Sequence, residues 1–178
     1  MLFIGSYVMS NASETVGADE IVVMQAPVTG TLHFWTQPGT YFQNWGRVTR
    51  YKKSFQFWFS AKHDQGEARD QSIRARFNDG GHASMSGSLR VDLPLDDEHL
   101  RKLHTKYGSQ AAIEQQLVRT VVEKAVYFAG PLMSSKESYA ERRSDLLAYI
   151  EDQITKGVYK SEQELKKDTD PLSGKEKM

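Results

Sequence analysis

Ser72-Ile73-Arg74-Ala75-Arg76-Phe77-Asn78-Asp79-Gly80-Gly81-His82-Ala83-Ser84-Met85-Ser86-Gly87-Ser88-Leu89-Arg90-Val91-Asp92-Leu93-Pro94 is the stretch on which the fold turns. Its centre, Asn78-Asp79-Gly80-Gly81, supplies residues that tolerate positive φ, so residues 72–77 and 83–93 are predicted to form a tight antiparallel hairpin. In the second arm Met85, Gly87, Leu89 and Val91 fall on one face. Ser84, Ser86, Ser88 and Arg90 fall on the other, the pattern of a strand wet on one side. After Pro94 the spacing of apolar residues changes from two to about 3.6, which divides the chain into a β-rich half and a helical half.

Upstream, the segments Ile21-Val22-Val23-Met24 and Thr31-Leu32-His33-Phe34-Trp35 are short, β-branched or aromatic, and bounded by Pro27, Gly30 and Pro38-Gly39, as strands are. Phe55, Phe57 and Phe59 alternate with Gln56, Trp58 and Ser60, giving that strand a core side. Downstream, Asp96 is a plausible cap for a helix through His104 that turns Leu100 and Leu103 inward. Ser109 caps a longer helix to about Phe128, whose Ile113, Leu117, Val118, Val121, Val122, Ala125 and Val126 form a wide apolar stripe ended by Gly130-Pro131. Ser134 followed by Glu137 is a capping box that opens a third helix, running to about Lys156 and stopping at Gly157, with Leu146, Leu147, Ile150 and Ile154 at helical spacing. The expected fold is α+β: a twisted, mostly antiparallel sheet from the N-terminal half packed against two to three helices from the C-terminal half.

The length suits one domain, at 18–157, between an apolar opening at 1–17 and a polar tail at 158–178 that is flexible or truncated. Lys plus Arg and Asp plus Glu both total 23, so no global field draws nucleic acid or acidic substrates toward the chain. Cysteine is absent, which removes disulfides and thiolate chemistry. The opening Met1-Leu2-Phe3-Ile4-Gly5-Ser6-Tyr7-Val8-Met9 is apolar but half the roughly 20 residues a spanning helix needs. It reads either as a frayed hydrophobic end or as the stub of a membrane anchor or shallow inserting segment.

Chemistry-bearing patterns are scarce. His99 and His104 share a helix, but five residues apart they lie about 140° around its axis, too far to share a metal. No H-E-x-x-H, G-x-S-x-G, Walker or G-x-G-x-x-G pattern occurs. Asp96-Asp97-Glu98 sits at a helix start, where negative charge complements the helix dipole. Arg47, Arg50, Lys52 and Lys53 lie among aromatics, but one short basic stretch in a neutral chain suits a phospholipid headgroup better than nucleic acid. An active site at His82 or Asp79 lacks any nucleophile, base and orienter to complete it, so the chain reads as non-catalytic, without metal or cofactor.

The order of elements, with Ala18-Asp19-Glu20-Ile21-Val22-Val23 and Gln37-Pro38-Gly39-Thr40-Tyr41-Phe42, resembles the SPFH (band 7) domain of stomatins, prohibitins and flotillins. The first segment looks like the family's opening strand and the second like its proline-glycine-x-histidine-phenylalanine signature, with Tyr41 where a histidine or aromatic is common. Residues 78–91 are similar to the family hairpin. Tyr107, Arg119-Thr120-Val121-Val122 and Ser135 to Arg143 are similar to its helix pair. The resemblance runs from about Ala18 to Ile154. It implies a membrane-associated scaffold that self-assembles into a ring or cage, with the domain on one aqueous face and lipid, copies of itself or a membrane protease as partners. The alternative it leaves open is a monomeric adaptor for one protein partner. On that reading Leu2, Phe3, Ile4, Tyr7 and Val8 are the expected membrane contacts, and Glu137, Arg142, Arg143 and Asp145 the expected contacts between copies.

Overall fold

A computed structural model describes residues 12–62 and 70–157. The apolar opening with Leu2, Phe3, Ile4, Tyr7 and Val8, His63, and the polar tail lie outside the described residues. The fold is α+β, with short antiparallel strands followed by helices.

Among the described residues the strands form four small antiparallel sheets in place of the one twisted sheet expected. Strand β1 (Ser13–Val16) pairs with β4 (Gly39–Phe42). Strand β2 (Glu20–Gln25) lies between β3 (Leu32–Trp35) and β5 (Arg47–Lys52). Both faces of β2 are covered, which accounts for its unbroken run of buried Ile21, Val22, Val23 and Met24. Strand β6 (Ser54–Phe59) pairs with β9 (Gly87–Asp92), and β7 (Ile73–Arg76) with β8 (His82–Met85). β1 precedes Ala18, where the domain was expected to begin, and its Val16 is buried.

The single sheet fails because the chain changes partners at two residues. At Lys53 the N–H donates to the Asp19 carbonyl at 2.8 Å, while the carbonyl accepts from Leu93 N–H at 2.8 Å. One residue thus ends the β2–β5 ladder and opens the β6–β9 ladder. At Ser86 the hairpin's second arm leaves β7 and continues beside β6, so the predicted hairpin closes over β7 and β8 alone. The expected alternation survives the switch: Met85, Gly87, Leu89 and Val91 are half-buried and the intervening residues exposed.

Helix α1 (Asp97–Tyr107) begins where expected, with an Asp96 oxygen accepting from His99 N–H at 3.0 Å. It runs past His104 to Gly108, whose φ of 70° suits glycine in a left-handed C-cap. Ser109 Oγ accepts from Ala112 N–H at 3.2 Å and caps α2 (Gln110–Ala112). The chain then widens into a π-helical segment (Ile113–Val118) before α3 (Arg119–Ala129). Ile113 and Val118 are five residues apart and both buried. In an α-helix they would diverge by about 140°, whereas i→i+5 winding brings them to one face.

The capping box at Ser134 forms as read: Ser134 N–H donates to the Glu137 carboxylate at 2.8 Å and Glu137 N–H to Ser134 Oγ at 3.3 Å. The helix it opens is nevertheless interrupted. A π-helical turn (Glu137–Glu141) closes with Arg142 N–H on the Glu137 carbonyl, Arg142 leaves helical geometry at φ −127° and ψ 31°, and α4 (Arg143–Lys156) starts afresh. Leu146 and Ile150 of α4 are buried, but Leu147 points outward, 53% exposed. The core joins Ile21, Val23, Tyr51, Phe55 and Phe57 of the ladders to Leu100, Ile113, Val122 and Val126 of the helices. At its tightest point Gly130 lies against β7, where a Cβ would come within 2.4 Å of the Arg76 carbonyl oxygen.

Candidate interaction surfaces

The pairing registers gather several loops at one pole. Ser13 lies opposite Phe42, and Gln25 opposite both Leu32 and Arg47. The β2–β3 turn, the β4–β5 turn and the point where the chain enters β1 are therefore neighbours. The Ala12 carbonyl accepts from Gln43 N–H at 2.9 Å and Asn44 N–H at 3.3 Å, while Gln43 Nε2 donates to the Gly46 carbonyl at 2.8 Å. Asn44 and Trp45 are held at φ 49° and 58°, a left-handed conformation uncommon for a bulky residue. Gly46 has no room for a Cβ, which would meet Met24 Sδ at 2.5 Å and the Gln25 carbonyl oxygen at 2.7 Å.

This geometry turns apolar side chains into solvent. Val28 is 94% exposed, Phe42 84% and Trp45 54%. Behind them Trp35 stacks on Tyr41, ring centroids 4.9 Å apart, beside an open hollow of about 680 Å³. The nearest carboxylate on β1, Glu14, is ion-paired with Arg50. Residues 21–62 contain no Asp or Glu, so Arg47 is the formal charge next to the aromatic turn.

A second surface lies between β9 and the helices. Phe59, Met85, Gly87 and Leu89 face Val122 and Val126 of α3 and Leu147, Ile150 and Ile154 of α4 around a groove of about 560 Å³. Arg90 and Glu151 add one charge of each sign to its lining.

The residues expected to join copies converge at the break before α4. Arg142 Nε donates to Asp145 at 2.9 Å, Arg142 Nη1 lies 3.8 Å from Glu137, and Nη2 donates to the Tyr149 hydroxyl at 3.5 Å. The Ser134 backbone N–H and hydroxyl hold the Glu137 carboxyl below its ordinary pKa, and the hydrogen bond to Asp145 raises that of Arg142. Arg143 is exposed beside this cluster. The Asp79 carboxylate accepts from Ser135 Oγ at 2.5 Å, Ser135 N–H at 2.9 Å and Gly81 N–H at 2.9 Å, pinning the hairpin turn to the start of the last helical region.

His99 bonds the capping Asp96 at 2.5 Å, and His104 turns inward to Tyr51. Among the described residues no cluster of three or more His, Asp and Glu could hold a metal ion, and no helix is long and apolar enough to cross a membrane. No protein-family model matches the chain, and no curated protein matches it.

The exposed aromatic pole was missed in reading the residues, because Phe42 and Trp45 look like core residues. The signal available was the lack of any carboxylate in 21–62 together with Asn44, a residue that accepts left-handed backbone, before the Trp.

Proposed function

We propose that this chain is a non-catalytic, membrane-associated scaffold of the SPFH kind, which self-assembles and organises lipid or partner proteins. The observation that carries the reading is the position of Ala12. Ala12, the first described residue, lies beside Phe42 and Trp45: its carbonyl accepts from Gln43 and Asn44 N–H, and the next residue, Ser13, pairs with Phe42. Aromatic side chains next to a basic residue suit the headgroup boundary of a bilayer, where an amphipathic ring keeps one part apolar and one part wet. Weak attachment per chain becomes stable attachment when copies are joined. The reading asks no chemical step of any residue.

The test is flotation of the full chain with anionic vesicles, compared with a form lacking residues 1–9. Weakened flotation of the shortened form supports the reading, and unchanged flotation removes Leu2, Phe3, Ile4, Tyr7 and Val8 from it. The adaptor reading is favoured by the groove between β9 and α4, and predicts a monomer that stays with the buffer.

A further inference from the structure

Among the described residues, the hairpin's second arm has one edge bonded to strands and one edge with no strand beside it. Phe77 N–H bonds the Gly81 carbonyl and Leu93 N–H bonds the Lys53 carbonyl. In antiparallel pairs, residues that exchange hydrogen bonds alternate with residues that do not. Residues 83, 85, 87, 89 and 91 are accordingly bonded to β7 and then β6, on the same side of the arm. His82, Ser84, Ser86, Ser88, Arg90 and Asp92 turn their N–H and C=O groups the other way, where β8 and β9 have no neighbouring strand among the described residues.

Such an edge templates the addition of a strand, and natural folds cover, shorten or charge edges that are not used. Here Ser86, Ser88 and Arg90, whose backbone groups face outward, also line the groove bounded by Leu147 and Ile154 of α4. A slot between a strand edge and a helix, lined by the exposed Leu147 and the partly buried Met85, Leu89 and Ile154, has the chemistry of a site that takes up an extended peptide by strand addition.

We propose that the slot between β9 and α4 binds an extended peptide segment of a partner protein as an additional antiparallel or parallel strand on β9. The main-chain groups of Ser86, Ser88 and Arg90 hold the peptide backbone. Every second peptide side chain is apolar and enters the groove, because side chains alternate along a strand. The remaining side chains are polar and face water beside the Ser88 hydroxyl. This site is distinct from the aromatic pole and does not depend on membrane attachment.

The test is an array of eight-residue peptides alternating Val, Ile, Leu or Phe with variable polar residues, probed with the full chain. Selected peptides are expected to slow amide exchange at Ser86, Ser88 and Arg90. The Ser88→Pro variant removes an outward N–H and leaves the backbone hydrogen bonds between β6 and β9 in place, though it loses the bond from Gln56 Nε2 to the Ser88 hydroxyl. It is expected to weaken binding at least about tenfold. Because that variant could disturb β9, the same peptides N-methylated at alternate amides provide a second readout on the unaltered protein, with the same loss expected. The proposal is overturned if no peptide of the array binds, or if binding survives both Ser88→Pro and N-methylation. A selected peptide whose protection maps to the β4–β5 turn also overturns it.

Discussion

The Tyr51 hydroxyl and Nδ1 of His104 share a hydrogen bond of 2.6 Å that ties α1 to β5. Burial pushes the phenol pKa up to about 12, so it keeps its proton. Burial, with the nearby Arg47 guanidinium, pushes His104 below the ordinary imidazole value, which favours the neutral ring. The unfolded chain therefore takes up a proton at His104 more readily than the native one. The contribution is fully present above the unfolded pKa of about 6.5 and is lost as pH falls through the lower folded value. Melting temperature should decline below about pH 6.5 in the wild type, with the slope reduced in His104→Asn. Tyr51→Phe should cost about 0.5–1.5 kcal/mol at pH 7.5.

Gly130→Ala should destabilise the fold by about 1–3 kcal/mol, because the added methyl meets the backbone carbonyl of Arg76, which cannot rotate away. Urea denaturation should show the loss as a lower midpoint with unchanged slope. Gly17→Ala is the comparison: there a Cβ would meet the Asp19 and Glu20 side-chain tips at 3.2 Å and 3.5 Å, and those can move.

Ser109→Ala should cost about 1 kcal/mol, since Ser109 Oγ accepts from Ala112 N–H at the first turn of α2. Ser109→Asp should restore most of it, because a carboxylate accepts the same bond. Thermal melts of the three proteins in one buffer separate these outcomes.

Phe42→Ser and Trp45→Ser should each weaken binding to anionic vesicles about tenfold, in line with the apolar area each loses. Because both side chains are exposed, neither variant should lower the melting temperature measurably. Equal vesicle binding by the variants and the wild type would leave the aromatic pole without a part in membrane contact.

Arg142 and Arg143 should separate stability from assembly. Arg142 already holds Glu137, Asp145 and Tyr149 within its own chain, so Arg142→Glu should lower the melting temperature as well as disturb assembly. Arg143 is exposed, so Arg143→Glu should reduce the assembled mass by light scattering while the melt stays put.

Local signals read well. Asp96, Ser109 and the Ser134–Glu137 box cap where expected, because a cap depends on residues within a turn of each other. Phe55 and Phe57 turn to the core with Phe59 partly buried at the edge, because alternation along a strand is a local property too. The misreadings came from contacts between distant residues. The partner switch at Ser86 depends on β6, whose Phe59 and Trp58 lie more than two dozen positions upstream of it. The break at Arg142 follows from a π-helical turn, which propensity does not signal. Leu147 keeps helical spacing with Leu146 and Ile150 yet faces the groove edge, since spacing identifies a face without saying how wide the buried part is.

The most direct test of the scaffold account is the mass of the full chain, by light scattering, on material recovered from flotation with anionic vesicles. The account predicts a discrete particle many times the 20.2 kDa chain mass that floats with the lipid. A monomer of 20.2 kDa that remains in the lipid-free fraction would contradict it.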